Sequence, residues 1–308
     1  MKILLAGATG FVGRSLVPAL LKDAHEVVVV GRNKEKIEKL WGDKVTGYTW
    51  QTLTISPDDF DAVINLAGEN IADKRWSASV KKSLLDSRLN TTKKLIDWLS
   101  QATTKKAHLY NASAIGIYGS TLTPHQNTTP LTETSVAPEK DCQDFAAKLV
   151  QEWEKTANLA LANDNPVTLM RFGVVLKRNE GALKKLGLQF NVCLGGTIGS
   201  GEQSFSWIHI DDLVSAILFL LKHPEITGPV NLTSPGCVSQ KDFAQTLATA
   251  MHRPCLLPLP AFLIKTAFGQ MGEELLLAGQ HVFPERLLDN KFEFQHPDLQ
   301  SALAKEWH

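Results

Sequence analysis

The stretch from Met1 to Arg32, MKILLAGATGFVGRSLVPALLKDAHEVVVVGR, decides the fold of this chain. Its first apolar run, Lys2 to Ala6, is followed by glycines at positions 7, 10 and 13 and then by a helical stretch whose leucines recur about one turn apart. A second run, His25 to Val30, is too apolar to lie open to water, which is typical of a parallel strand buried on both faces. The order strand, glycine turn, helix and strand predicts a βαβ unit with a phosphate-binding turn at its first junction.

Each glycine of this turn has a separate physical role. Gly7 permits a sharp turn out of the strand, Gly10 lets a pyrophosphate approach the backbone, and Gly13 lets the helix pack close to the strand. The N-terminus of the helix adds unpaired N–H groups and the positive end of its dipole. A glycine-rich turn without a ligand is the alternative, and the position of the turn between two buried strands disfavours it.

The residues after the second strand indicate which dinucleotide binds. An acidic residue there would bond the ribose 2′-hydroxyl of NAD, but this chain has Gly31-Arg32-Asn33-Lys34 instead. Arg32 can pair with a 2′-phosphate through two parallel hydrogen bonds, and Lys34 adds positive charge nearby. We therefore predict NADP(H) as the cofactor, with an ordinary solvated arginine as the alternative.

Composition excludes several classes of partner. The 308 residues are 44% hydrophobic and 21% charged, and the formal net charge is zero. A chain without a basic excess has no field to hold nucleic acid or an anionic membrane surface. No apolar run approaches the roughly 20 residues of a membrane span, and the first strand starts almost at Met1, which leaves no room for a signal peptide. We therefore expect a cytoplasmic protein that binds neither nucleic acid nor membrane.

The four cysteines form no paired motif. Because they are scattered, they predict buried or free thiols in a reducing compartment rather than disulfides or a zinc site, and we expect no metal. They are Cys142, Cys193, Cys237 and Cys255.

The next predicted strands lie beyond the βαβ unit and end near its phosphate-binding turn. Val45 to Trp50 is a short third strand, and Asp61 to Leu66 is a buried strand that ends in the small residues Ala67 and Gly68. Small residues at a strand end let a cofactor lie across the sheet, so Leu66, Ala67 and Gly68 are predicted cofactor contacts.

Two arginines that follow this strand each have two alternative roles. Arg75 and Trp76 lie in the loop after that strand, where doubly wound sheets bind ligands, and both are candidate substrate contacts. A solvated surface charge is an equal alternative for Arg75. Arg88 falls on the apolar stripe of a predicted helix, Ala78 to Ser100, where a charge must find a partner. That partner is either an internal carboxylate or backbone carbonyls and a ligand, and we favour a place beside the cofactor.

The middle of the chain places further polar groups at a strand end. A strand beginning at Ala107 runs on so that Ser113 and Tyr118 leave its end together. Thr121 to Pro138 is polar and aperiodic, which predicts an exposed flap. Asp141 to Leu161 has apolar residues at a spacing of four and predicts a helix.

The pattern changes in the last third of the chain. Val167 to Leu176 predicts a strand interrupted by Arg171 and Gly173. Beyond a glycine-rich stretch, His209 lies in the run W-I-H-I-D-D before a helix, where a hydrogen-bonded structural histidine is favoured over a ligand contact. A last strand is predicted at Val230 to Thr233.

These elements predict two units. The first is a dinucleotide-binding domain at residues 1–176 with strand contributions from 204–235. The second is a substrate lobe at 177–308, which includes a tail at 250–305 with a helical stretch from Ala261 to Gly279.

Several ordered motifs resemble the extended short-chain dehydrogenase/reductase superfamily: G-A-T-G-F-V-G, N-L-A-G, S-A-I-G-I-Y-G, a helix lysine at Lys148, and W-I-H-I-D-D. Within it, A-G-E-N-I-A-D-K-R-W, the I-G-S-G turn and the proline-led tail are similar to the atypical "epimerase family protein" branch, which carries a DUF1731-type region. The resemblance covers essentially the whole chain. It implies an α/β fold, a doubly wound parallel Rossmann sheet that binds NADP(H), with a small C-terminal α/β substrate lobe over the nicotinamide.

The resemblance also implies a mechanism, from which this chain departs. In superfamily members a tyrosine transfers a proton, a lysine four residues later lowers its pKa, and a serine bonds the reacting oxygen. Here Asp144 stands four residues before Lys148, and Arg88 replaces a structural asparagine. Ser113 matches the serine only if one extra residue is allowed before Tyr118. Lys148 and Ser113 therefore carry over, while Tyr118 and Asp144 are the alternatives for the proton donor, and Asp144 would need a raised pKa.

Three hypotheses for function remain at this point. The first is an NADP(H)-dependent oxidoreductase or epimerase-like enzyme acting on a small polar substrate. The second is a non-catalytic NADP(H)-binding redox sensor or scaffold, and the third is an interaction module whose nucleotide is purely structural. For the assembly, a homodimer is an open alternative. The predicted catalytic residues are Ser113, Tyr118, Lys148 and Asp144. The predicted cofactor contacts are Gly7, Thr9, Gly10, Phe11, Val12, Gly13, Arg32, Leu66, Ala67, Gly68, Arg88, Lys148 and Arg171. The predicted substrate contacts are Arg75, Trp76 and His209.

Overall fold

A computed structural model of the protein describes residues 1–136 and 144–307. The strands in chain order are β1 (Lys2–Ala6), β2 (Glu26–Gly31), β3 (Thr46–Thr49), β4 (Ala62–Asn65), β5 (His108–Ala114), β6 (Val167–Phe172), β7 (Val174–Leu176), β8 (Ser204–Phe205), β9 (Trp207–His209), β10 (Gly228–Leu232) and β11 (Val238–Ser239). The helices in chain order are α1 (Phe11–Lys22), α2 (Lys34–Trp41), α3 (Ala78–Leu99), α4 (Phe145–Ala157), α5 (Gly181–Asn191), α6 (Ile210–Lys222), α7 (Gln240–Ala250), α8 (Ala261–Phe268), α9 (Gln270–Gly272), α10 (Glu285–Asp289) and α11 (Leu299–Trp307).

The centre of the molecule is a seven-stranded parallel sheet in the order β10-β6-β5-β4-β1-β2-β3. One face packs against α1 and α6, and the other packs against α3 and α4. In β1, Ile3 and Leu5 face the first layer while Leu4 and Ala6 face the second, which explains why the strand is apolar without alternation. The predicted doubly wound α/β fold is confirmed.

The predicted strand Val167 to Leu176 is in fact two strands. Its first part, β6, stays in the central sheet, whereas β7 pairs with β9 in a separate two-stranded sheet. The break falls at Gly173, where a Cβ atom would lie 2.9 Å from Thr233 Cγ2. A second small sheet joins β8 and β11.

The C-terminal third builds a lobe and also returns to the central sheet. The helices α5, α7 and α11 share one apolar core. In contrast, β10 is an edge strand of the central sheet, and Leu287 and Phe292 pack into the same core as α1 and α6. The predicted tail helix from Ala261 to Gly279 is divided, because α8 ends at Phe268 and a π-helical turn follows at Glu273–Leu277. The edge strand β10 thus brings residues that follow the first lobe helix, α5, back into the central sheet.

The predicted flap is not free-standing in its described part. Isolated bridges join Thr121 to Gly279 and Leu131 to Val282, so backbone hydrogen bonds at Thr121 and Leu131 hold this segment against the tail. Residues 137–138 of the predicted flap and the first three residues of the predicted helix Asp141 to Leu161 lie outside the described residues. Across the described chain, every helix is too short or too polar to cross a bilayer.

Candidate functional site

A cleft of about 750 Å³ opens at the carboxyl ends of β1, β2 and β4. Parallel sheets of this kind bind ligands at such an edge, where the strand order reverses. The predicted cofactor contacts that line it are Gly7, Thr9, Gly10, Arg32, Leu66, Ala67 and Gly68. The residues predicted from the sequence at the ends of β1, β2 and β4 therefore lie together in the wall of this cleft.

The glycine turn leaves room for a ligand at the start of α1. Gly7 has a φ of +90°, and a Cβ atom there would lie 2.7 Å from the Leu66 carbonyl carbon. At Gly13 a Cβ atom would lie 2.4 Å from the Gly7 oxygen, so only glycine lets α1 approach β1 this closely. Gly10 precedes α1 without a side-chain cap, which leaves the first N–H groups of the helix directed at the cleft. This cradle fits the pyrophosphate of a dinucleotide.

Two predicted contacts lie beside the cradle rather than in the cleft wall. Phe11 and Val12 form the first turn of α1 and are partly buried against the core. A Cβ atom at Gly181 would lie 3.0 Å from the Phe11 ring, so this ring contacts the start of α5. The contribution open to Phe11 and Val12 is through their backbone N–H groups.

Positive charge collects at the end of β2. Arg32 is exposed and lines the cleft, and so does Lys36 in the first turn of α2. Lys34, which the sequence analysis had placed near the phosphate, is instead over half exposed and pairs with Glu38. Because α2 begins at Lys34, a step of two residues turns the side chain to a different side of the helix. Lys36 rather than Lys34 therefore adds positive charge to the cleft wall beside Arg32, and the Asn33 side chain caps α2.

The opposite wall is the polar side of α3, which sequence reasoning missed. It contributes hydroxyl and amide groups from Ser79, Ser83, Ser87, Asn90 and Thr91. The amphipathic pattern of α3 identified its apolar stripe, but a polar stripe is ordinarily a solvated face and carried no information about a ligand.

Arg88 lies directly behind Gly68 in this wall. A Cβ atom at Gly68 would lie 3.3 Å from the arginine side chain. The guanidinium donates to the carbonyl oxygens of Leu84 and Glu69, at 3.0 Å each, and lies over the Trp153 ring. Burial lowers its pKa to about 10, so it remains a cation at neutral pH. Its Nε has no hydrogen-bond partner among the described residues, and direct contact with a cofactor stays a prediction.

Three predicted site residues belong to one buried polar network on the α4 side of the sheet. Arg171 donates to both carboxylate oxygens of Glu154 at 2.9 Å. Its third donor reaches the Tyr118 hydroxyl at 2.9 Å, and that hydroxyl donates to Asn231 at 2.7 Å. Ser113 donates to Glu154 at 2.5 Å. Each member is buried, so the network is a structural element of the interior.

This network bears on the site roles predicted for three residues, and those roles stay predictions. Ser113 faces α4 because side chains alternate along β5, and its hydroxyl is committed to Glu154. Tyr118 has both hydrogen-bonding roles filled, and burial raises its pKa, which disfavours proton exchange with a ligand. The Arg171 guanidinium is bonded to Glu154 and Tyr118, and it is not among the described residues that line the cleft. The sequence offered no indication of Glu154 as their common partner.

Asp144 lies at the N-terminus of α4 and is part of a carboxyl pair. One oxygen accepts from the Ala147 N–H and the other from both the N–H and the hydroxyl of Ser120. Its carboxyl also hydrogen-bonds Glu274 from the tail, whose oxygens accept from the first two N–H groups of α4. Burial opposes ionisation of Asp144, but these hydrogen bonds outweigh it and lower its pKa.

The pKa of Glu274 is raised, in contrast to that of Asp144. Burial and the hydrogen bond with Asp144 raise its pKa to about 7, because two adjacent carboxyl groups share one proton. A carboxyl group that donates a proton near neutral pH needs a raised pKa, and in this pair Glu274 rather than Asp144 has one. Sequence reasoning missed Glu274, which is 130 residues away along the chain and lies in no motif. Lys148, one turn after Asp144, is exposed on α4.

The predicted substrate contacts are placed as follows. Arg75 is exposed, and its guanidinium lies against Gly269. Trp76 is a core residue that donates to the Ile71 carbonyl at 2.9 Å and packs edge-on against Phe145.

His209 is 1% exposed and has both ring nitrogens occupied. Nδ1 accepts from the Asp211 N–H, and Nε2 lies 2.8 Å from the Glu306 carboxylate. These hydrogen bonds fit the structural role that the sequence pattern favoured for His209, and its substrate contact stays a prediction.

Two family models match the sequence of this chain. Residues 3–232 match the model described as the NAD dependent epimerase/dehydratase family, and residues 259–306 match a domain of unknown function, DUF1731. The chain belongs to the NAD-dependent epimerase/dehydratase family. The resemblance to atypical extended short-chain dehydrogenase/reductases is thereby confirmed.

Particular relatives cover almost the whole chain. It is 37% identical to the epimerase family protein Mb2239 of Mycobacterium bovis, over 98% of this chain and 96% of the relative. It is 34% identical to the epimerase family protein YfhF of Bacillus subtilis, over 99% and 97%. The crystal structure of human epimerase family protein SDR39U1 with NADPH has a TM-score of 0.87 to this fold at 34% identity, covering 99% of both chains.

Proposed function

We propose that this protein binds NADP(H) in the cleft at the end of β1 and carries out an oxidoreductase or epimerase-like reaction on a small polar substrate. One observation carries the choice of cofactor: Arg32 and Lys36 line the cleft beside the glycine cradle, where an acidic residue would select NAD. The human relative whose crystal structure contains NADPH supports it.

Different residues of the cleft would bind different parts of NADP(H). The open N–H groups at the start of α1 hold the pyrophosphate, and Arg32 with Lys36 pairs with the 2′-phosphate. Ala67 and Gly68 form a flat wall without large side chains. When bound, NADP(H) supplies or accepts a hydride.

We propose the carboxyl pair for proton exchange rather than Tyr118 or Ser113, although the pair lies outside the lining of the cleft and both Glu274 oxygens accept from backbone N–H groups of α4. A general acid works best when its pKa lies near the operating pH, and Glu274 satisfies this while Tyr118 does not. Asp144 stands in the sequence where superfamily members have the catalytic tyrosine, and it shares a hydrogen bond with Glu274.

A non-catalytic NADP(H)-binding role is the second candidate. It is favoured by the burial of the Ser113 and Tyr118 hydroxyls, which removes two of the groups that superfamily enzymes use. The two candidates share the cofactor and differ only in turnover.

Cofactor choice is tested by measuring dissociation constants for NADPH and NADH by titration calorimetry. Because a charge-assisted hydrogen bond is worth about 1.5–3 kcal/mol, we expect Arg32→Gln to weaken NADPH binding by roughly 10- to 150-fold with NADH little changed. Lys34→Gln is the matched control, since its side chain pairs with Glu38 outside the cleft, and it should leave both constants unchanged. Equal affinity of the unmodified protein for NADPH and NADH would refute the assignment.

Turnover is tested by NADPH oxidation against sugar nucleotides, aldehydes and quinones. For any substrate that reacts, Glu274→Gln should lower kcat and remove the pH dependence near neutrality while NADPH affinity is retained. An unchanged rate in that variant excludes the carboxyl pair as the proton donor. Absence of oxidation with all three substrate classes, together with intact NADPH binding, favours the non-catalytic role.

A further inference from the structure

Two histidines and a cysteine from three distant segments meet beside the small sheet of β8 and β11. His125 lies in the loop after β5, Cys237 precedes β11, and His281 lies in the tail before α10. Their possible ligand atoms all lie within 4.8 Å of one another, and the two imidazole rings are 4.6 Å apart. These three residues lie far apart in the sequence, so no closely spaced His and Cys motif was present to predict a metal site.

We propose that His125, Cys237 and His281 form a binding site for a thiophilic divalent cation, with Zn²⁺ as the ion that fits best. Two imidazole nitrogens and one thiolate are donors that Zn²⁺ prefers, and three protein ligands leave a fourth position open to water or another ligand. The proposal is independent of the cofactor site.

The distances are compatible with closure around an ion. Zinc bonds of about 2.0–2.3 Å in a tetrahedron place donor atoms roughly 3.3–3.8 Å apart. The Cys237 sulfur lies 4.0 Å from His125 Nδ1, which also hydrogen-bonds the Ser204 hydroxyl at 3.0 Å, so binding through this nitrogen exchanges that hydrogen bond for a bond to the ion. Binding takes the thiolate form of Cys237, and its proton is released to solvent.

Neighbouring hydroxyl groups orient the three candidate ligands. Thr128 lies 3.0 Å from His281 Nδ1, which leaves Nε2 as the nitrogen for an ion. Ser206 donates to the Cys237 sulfur at 3.3 Å. Such outer contacts fix ring tautomers and thiolate positions in metal sites.

The other cluster of this kind does not offer free donors. His209, Asp211 and His296 also lie close together. However, His209 uses both nitrogens, one on the Asp211 backbone and one on Glu306. The set around Cys237 is therefore the stronger of the two.

The test uses the full chain after treatment with a chelator. Zn²⁺ is titrated in competition with a chromophoric chelator, and Co²⁺ is titrated as a spectroscopic probe. We expect one equivalent of metal, a near-ultraviolet thiolate-to-cobalt charge-transfer band, and a rise in the unfolding temperature, because the ion would join three segments. Cys237→Ser should remove the band and weaken zinc binding at least 100-fold.

Matched variants separate this site from adventitious binding. Cys193→Ser removes an exposed thiol elsewhere and His223→Gln removes an exposed histidine, and neither should alter the stoichiometry or the band. His281→Gln should weaken binding while NADPH affinity, which reports an intact fold, stays the same. Absence of saturable stoichiometric binding, or binding unchanged in both Cys237→Ser and His281→Gln, overturns the proposal.

Discussion

The buried pair of Glu154 and Arg171 gives the sharpest test of how the interior is stabilised. Both side chains are about 10% exposed, and the carboxylate accepts two hydrogen bonds from the guanidinium and one from Ser113. Glu154→Gln leaves the cation of Arg171 buried without a counter-charge. Removing one partner of a buried pair costs about 3–5 kcal/mol, so we expect the free energy of unfolding to fall by that amount.

The measurement is urea unfolding at neutral pH, followed by circular dichroism and tryptophan fluorescence. Asp86→Asn is the matched control, because its pair with Lys82 is exposed and should contribute less than about 1 kcal/mol. Ser113→Ala should cost about 1–3 kcal/mol, since it removes a buried hydrogen-bond donor.

Two outcomes would refute this reasoning. A loss below about 1 kcal/mol in Glu154→Gln would mean that the network does not stabilise the interior. If Ser113→Ala retained full stability yet abolished turnover on an identified substrate, the hydroxyl would act in catalysis after all.

The remaining predictions concern the acid pair and the glycine turn. Glu274 keeps its proton in the folded state up to a pKa of about 7 but releases it near 4.5 when unfolded, so stability should fall as pH rises between these values. Between pH 5 and 7.5 the free energy of unfolding of the unmodified protein should fall by about 1–2 kcal/mol more than that of Glu274→Gln, after allowance for solvent screening. Urea unfolding at each pH measures both proteins. Parallel pH profiles for the two proteins would contradict the shared proton. Gly13→Ala places a methyl group 2.4 Å from the Gly7 oxygen, so α1 must move away from β1 and NADPH binding should be lost, as calorimetry would show. Retained NADPH affinity in Gly13→Ala would mean that the close approach of α1 to β1 is not needed.

The parts of the fold that the sequence predicted are those specified by neighbouring residues. The glycine turn, the buried strands β1, β2 and β4, and the position of Arg32 follow from local patterns of apolar residues and backbone freedom. These patterns report burial and turn geometry directly, so the cradle could be found without coordinates.

The parts that the sequence did not predict depend on partners far along the chain. Ser113 and Tyr118 were assigned to chemistry because they leave a strand end, but Glu154 and Asn231 hold their hydroxyls in the interior. Glu274 reaches the start of α4 from the tail, where no spacing rule applies. A helix or strand pattern gives the direction of a side chain, whereas its partner depends on how distant segments pack.

The return of the tail to the central sheet has a consequence for how the chain can be shortened. The second family match begins at residue 259, yet Leu287 and Phe292 fill the interior beneath α1 and α6. Asp212 of α6 further accepts from the backbone N–H groups of Gln295 and His296. Truncation at 258 would uncover apolar surface worth about 1.5–3 kcal/mol for each of the two side chains, so the nucleotide-binding half would lose its closed interior. The boundary between the two family matches is a division of sequence similarity and not a seam along which the molecule separates.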